Sequence, residues 1–80
     1  MKIYDYDGKK SISGSRIHQA RKAMKLSQMD LAARMQINGV MVEREAISKI
    51  ETGDRFVTDY ELKIFSQILG VTVDWLIENE

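Results

Sequence analysis

Residues 26–53 read LSQMDLAARMQINGVMVEREAISKIETG, and their pattern decides the fold. Ser27 is a good helix N-cap, with a hydroxyl placed to accept from the free amides of the first turn. Asp30 follows three residues later, a shortened form of the capping box. Leu31, Ala32 and Met35 recur at helical spacing and predict a helix over about 28–35. Ala46, Ile47 and Ile50 predict a second short helix over about 43–52, with Gly53 as its C-terminal stop. Residues 36–42 lie between them, with Asn38-Gly39 as the turn signal. Two short helices that cross through small residues leave one face of the second helix free. That is the geometry of a helix-turn-helix reader of the DNA major groove.

The rest of the chain supplies the frame. Residues 1–14 show no helical period: Ile3, Tyr4 and Tyr6 alternate weakly with Asp5 and Asp7 before Gly8-Lys9-Lys10. This reads as an N-terminal arm that packs on the domain or frays, in preference to one that reaches DNA through Lys9 and Lys10. Residues 15–80 form the domain. A first helix is expected over about 15–25, capped by Ser13 or Ser15, with Ile17, Ala20, Met24 and Leu26 inward and Arg16, Lys22 and Lys25 outward. His18 is the only histidine in a chain without cysteine, which argues against a metal site, and it is taken as a surface residue. Thr58-Asp59-Tyr60-Glu61 is a full capping box for a helix running to Leu69 and closed by Gly70. Its core stripe is Leu62, Phe65 and Leu69, while Ile64 and Ile68 form a second stripe that needs a cover. A fifth helix is expected over about 73–78 behind Thr72, with Trp75 assigned first to the core and second to an interface.

These residues resemble the phage-repressor/Cro-type (XRE-like) helix-turn-helix family. The matching set is Arg21, Leu26-Ser27-Gln28, Leu31-Ala32, Ile47-Ser48-Lys49-Ile50-Glu51 with Gly53, Leu69-Gly70-Val71 and Asp74-Trp75-Leu76. No piece is specific alone, but the ordered set is, and it spans about residues 14–77. One departure is a segment between the motif helices longer than the family's usual three or four residues, the extra ones falling around 36–41.

The resemblance implies an all-α, five-helix, lambda-repressor-like domain. It implies base reading by Arg44, Glu45, Ser48 and Lys49 on the outer face of the third helix. It implies DNA-backbone contacts from Gln28 and Ser27 at the start of the second helix, and from Arg55 and Thr52 after the third. Arg21 and Glu51 should form a structural ion pair, and Trp75, Ile68 and Val71 should adjoin a dimer contact. The side chains assigned to base reading have suitable chemistry. Arg44 can take guanine with both prongs, Lys49 can reach guanine or phosphate, Ser48 can donate or accept, and Glu45 can accept from cytosine. Glu43 and Glu45 favour the helix N-terminus and oppose phosphate.

Composition bounds the alternatives. Eighty residues make one small domain near the lower size for folding without staples. No apolar run is long enough to span a membrane, and the N-terminus lacks the apolar core of a signal peptide, so the cytoplasm is the expected compartment. Net charge is zero, yet residues 1–49 carry ten Lys and Arg against five Asp and Glu, and residues 50–80 carry two against seven. The motif half is basic and can face phosphate in a neutral chain. The function expected is sequence-specific duplex DNA binding by a transcriptional regulator, with repression favoured, as a homodimer on a two-fold operator. The alternative is a protein-interaction module, such as an antitoxin or anti-repressor partner with weak or lost DNA binding, in which the acidic half binds a protein and Glu43 and Glu45 oppose DNA. No enzyme, cofactor or small-molecule ligand is expected: the chain has no phosphate-binding glycine loop and little room for a pocket.

Overall fold

The computed structural model describes residues 8–78, in which five helices follow one another: α1 Gly14–Ala23, α2 Gln28–Ile37, α3 Arg44–Thr52, α4 Asp59–Leu69 and α5 Val73–Leu76. The all-α, five-helix expectation holds, and no strand occurs among the described residues. The residues that would settle how Ile3, Tyr4 and Tyr6 pack lie outside that range.

The helix starts follow local chemistry. Ser27 accepts from the Asp30 amide at 2.9 Å while Asp30 accepts from the Ser27 amide at 3.0 Å, which closes the capping box of α2. Thr58 and Glu61 do the same for α4. Ser13 occupies the cap position of α1 without a capping bond from its side chain.

The helix ends share one device. In α1, α2, α3 and α4 the chain turns through a left-handed residue (Lys25, Gly39, Gly53, Gly70), and the next amide reaches back to the carbonyl five residues earlier. This is the Schellman closure, which satisfies carbonyls that a helix end would leave unpaired. Three of the four positions are glycine, the residue that adopts this conformation without a steric cost.

The second helix runs to Ile37, two residues beyond the expected 28–35, because the left-handed stop is Gly39 itself. Ile37 is 84% exposed, so the extra half-turn has no inward apolar residue to announce it. The loop that remains is anchored: Val40 and Val42 are buried, and Gln36 Nε2 donates to the Val42 carbonyl at 3.0 Å. Only Met41 between them is turned out.

Ile17, Leu31, Met35, Ile47, Ile50, Phe65 and Leu76 fill the core, joined by the two valines of the loop. Burying each of these side chains contributes about 1.5–3 kcal/mol. α3 packs chiefly on α1 and α2. It comes close to α1 at Gly14, where any β-carbon would overlap the Ile50 carbonyl.

Three side-chain assignments change. Met24 lies on the exposed side of α1, since the helix ends at Ala23 and the chain has already begun to turn. Arg16 does not face out: its side chain is 12% exposed, and its guanidinium lies 4.5 Å from the centre of the Trp75 ring. Trp75 is half-buried under that cation, and Leu76 takes the core position of α5. The fifth helix itself stops at Leu76, short of the expected 78.

Candidate nucleic-acid interface

α3 stands as a ridge between two hollows. On one side a groove of about 500 Å³ separates it from α2 and the loop, lined by Met29, Ala33, Gln36, Met41 and the first turn of α3. On the other a groove of about 400 Å³ is lined by Lys10, Lys49, Asp54, Arg55 and Phe56. Glu45 borders both. Ile47 and Ile50 fix the inner face of the ridge, so Arg44, Glu45 and Lys49 stand exposed on its outer side with Ser48 half-buried. The four expected base-reading residues therefore share one helix in a single rotational setting. Arg44 and Glu45 lie 3.8 Å apart as an exposed ion pair. Such a pair is worth little, and either partner is free to exchange it for a base edge.

Behind the ridge, Arg21 and Glu51 form the expected ion pair. Arg21 Nε donates to Glu51 Oε2 at 2.6 Å and Nη2 to Oε1 at 3.1 Å, while Nη1 holds the Leu26 carbonyl at 2.8 Å. Both side chains are nearly buried, 8% and 5% exposed. Burial raises the Glu51 pKa, but the bonds from Arg21, His18 and Gln28 and the charge of Arg21 outweigh it and hold the carboxyl below its ordinary range. Gln28 sits at the first position of α2 and gives its Nε2 to Glu51 Oε1 at 3.1 Å. The carboxylate thus ties α1, α2 and α3 together at the foot of the ridge.

Ser27 spends its hydroxyl on the cap of α2, an end that favours anions through its free amides and dipole. Asp30 in that first turn has its own pKa lowered by the amide and hydroxyl of Ser27. Thr52 Oγ1 lies 2.8 Å from Asp54 Oδ2 and 3.1 Å from the Lys49 carbonyl, so it serves the end of α3. Arg55 makes a two-pronged pair with Glu61, both contacts 3.1 Å, and holds the Phe56 carbonyl. The nearly buried Glu61 also accepts from the Thr58 amide. Burial raises its pKa, but Arg55 and Thr58 bring it below the ordinary value. Arg55 is therefore a staple between the turn after α3 and the start of α4.

The sequence of this ridge and its supports matches a family model. The model described as helix-turn-helix aligns with residues 17–76, three quarters of the chain. The chain belongs to the XRE-like helix-turn-helix family. A search of curated proteins gives no match. Helix-turn-helix domains of this family are DNA-binding regulatory domains, and the ridge just described is the motif's second helix. No helix among the described residues is long and apolar enough to cross a membrane.

The structure adds two residues that sequence reasoning did not place at the site. Lys10 and Ser11, near the end of the arm, are docked on the turn after α3: the Lys10 amide donates to the Gly53 carbonyl at 2.9 Å, and Ser11 Oγ accepts from the Val57 amide. The Lys10 ammonium lies 5.7 Å from the Phe56 ring and shares a groove with Lys49. His18, taken as a surface residue, is half exposed yet reaches Glu51 Oε1 with Nδ1 at 2.9 Å. Its spacing of three from Arg21 was the available signal, since residues three apart share a helix face. The three expected dimer-contact residues are all half-buried against the core and have different neighbours. Trp75 lies under Arg16, and Ile68 borders a hollow with Arg34 and the exposed Ile37.

Proposed function

We propose that this chain binds duplex DNA sequence-specifically as a cytoplasmic transcriptional regulator, acting as a repressor by occupying an operator. α3 enters the major groove, with Arg44, Glu45, Ser48 and Lys49 reading base edges. Gln28 and Ser27 at the start of α2, and Arg55 and Thr52 after α3, meet the phosphates that set the register. Two copies bind a two-fold site with half-sites about one helical turn apart, joined near Trp75, Ile68 and Val71. The observation that carries this reading is the ridge itself: a short helix, rigidly backed by Ile47, Ile50 and the Arg21–Glu51 pair, with polar side chains outermost and a hollow on each side. A duplex groove needs a protruding element of that kind, and the basic half of the chain provides it.

Selection of duplexes from a random library with the purified chain tests the proposal, followed by anisotropy titration at several salt concentrations. A two-fold symmetric motif whose binding weakens steeply with salt is expected, because phosphate contacts release counterions. No motif, and negligible binding even at low salt, would overturn it. The exposed Glu43 and Glu45 would then point to a protein partner for the same helix.

A further inference from the structure

The contacts proposed above make no use of the extended connection between α2 and α3. Its middle is not slack. The Val40 amide donates to the Met35 carbonyl and the Val42 amide to the Val40 carbonyl, each at 3.0 Å. The second bond closes a three-residue turn with Met41 at its apex. Val40 and Val42 go into the core, while Met41 is 79% exposed. A restrained backbone thus holds a long apolar side chain out in water, where it is disfavoured in the free protein.

Met41 lines the hollow beside the first turn of α3. Across that hollow, Met29, itself 65% exposed, and Ala33 supply an apolar wall from α2. Glu43, Arg44 and Glu45 supply the wall at the start of α3. Gln36 also borders it but gives its Nε2 to the Val42 carbonyl. Two exposed carboxylates stand here against one guanidinium, which lies 3.8 Å from Glu45, so the hollow repels phosphate. A recognition helix brings its N-terminal residues to the base edges. The hollow beside that turn therefore closes over bases and not over the backbone. The apolar group that a base pair presents in the major groove is the 5-methyl of thymine. Methionine, unbranched and polarizable, adapts readily to such a contact.

We infer that Met41 is a specificity-determining residue: its side chain packs on the 5-methyl of a thymine in the major groove, next to the base pair met by the first turn of α3. The inference rests on the proposed function and gives the extra loop residues a base to read. Burying one methyl in such a contact is worth about fourfold in affinity.

The test uses the fluorescein-labelled duplex selected from the random library, with copies in which deoxyuridine replaces thymine at one position of each half-site at a time. That replacement deletes only the methyl. In anisotropy titrations wild type should bind about fourfold more weakly for each methyl lost at one such position. Met41→Gln keeps the length of the side chain but not its apolar tip. It should bind the thymine duplex as weakly as wild type binds the uracil copy, and should not distinguish the two. A repeated selection with Met41→Gln should lose the thymine. Met41→Leu should restore the discrimination. Because Met41 is exposed, both variants should melt with wild type. A wild type indifferent to every such replacement, a selected half-site without thymine, or a Met41→Gln variant that still tells thymine from uracil overturns the inference, while binding of the selected duplex leaves the proposed function standing. Failure of wild type to bind any duplex removes both.

Discussion

Substituting Glu51 with glutamine keeps the side chain's shape and removes its charge. The position is 5% exposed and accepts from Arg21, His18 and Gln28. Whichever oxygen becomes an amide, its N–H groups then confront a donor of Arg21, which bonds to both oxygens. Losing one charge-assisted bond at a buried site costs about 1.5–3 kcal/mol. Alanine, which strands Arg21 altogether, costs about 3–5 kcal/mol. A chain of this size has a total stability of roughly 4–12 kcal/mol, and each kcal/mol moves the melting temperature by about 4–8 °C. Glu51→Gln should therefore melt about 6–24 °C lower at neutral pH, and Glu51→Ala should be near unfolding.

The acid side of the stability curve gives a second readout of the same substitution. The Glu51 pKa is depressed in the folded state, so the unfolded chain binds more protons in that window. Its contribution is complete above the unfolded value of about 4.3 and disappears as pH falls through the folded value. Circular-dichroism melts from neutral pH down to about pH 3 should show a shallower acid limb in Glu51→Gln than in wild type. The part that remains comes from the depressed Glu61 and Asp30. An unchanged melting temperature at neutral pH, or an acid limb as steep as wild type, would refute the buried-pair argument. So would a loss of DNA binding in Glu51→Ala at unaltered stability.

Three more outcomes are expected. Arg44→Ala should weaken specific binding by about 1–3 kcal/mol and relax one base preference in a repeated selection; full affinity would take Arg44 off the reading surface. Arg55→Ala leaves Glu61 nearly buried without its cation, so it should lower the stability by about 1–3 kcal/mol, given that Arg55 is partly exposed, and with it the melting temperature. If Arg55 also meets a phosphate, the salt slope of binding, measured where the variant is fully folded, should fall by about one. Gly14→Ala would gain up to about 1 kcal/mol from helix propensity, but its β-carbon meets the Ile50 carbonyl, and a net loss of about 3 kcal/mol is expected in a denaturant titration; a stabilised variant would disprove the close contact of α1 with α3.

What the sequence made legible was local. Ser27 with Asp30, Thr58 with Glu61, and Gly53 and Gly70 each act within a few residues, so the caps of α2 and α4 and the stops of α3 and α4 could be read directly. Ile47 and Ile50 fixed the rotation of α3, and with it the outward set of Arg44, Glu45, Ser48 and Lys49. Contacts across the chain were a different matter. Arg16 and Trp75 are far apart in sequence, and nothing in the helical period of α1 signals that a cation will lie flat on an indole there. Arg55 reads as a DNA-backbone contact after a glycine stop, and only the return of the chain at Thr58 brings Glu61 under it. The Arg21–Glu51 pair is equally long-range, and only the resemblance to a known family anticipated it.

The long connection between α2 and α3 poses a mechanical question, since slack in it would blur the aim of the reading helix. The fold restrains both ends of that helix independently of the loop's length. Before α3 starts, Val42 is buried in the core and its carbonyl is held by Gln36. Near its end, Glu51 is fastened to α1 and α2, and the Ile50 backbone rests on Gly14. Ile47 and Ile50 pin the span between. Extra residues in the loop therefore project at Met41 and do not loosen α3. Pre-organisation of this kind lowers the entropy to be lost on docking. It also makes the Glu51 carboxylate the point where stability and the pose of Gln28 meet, so substitutions there should be strongly non-additive with changes at Arg21, Gln28 or His18.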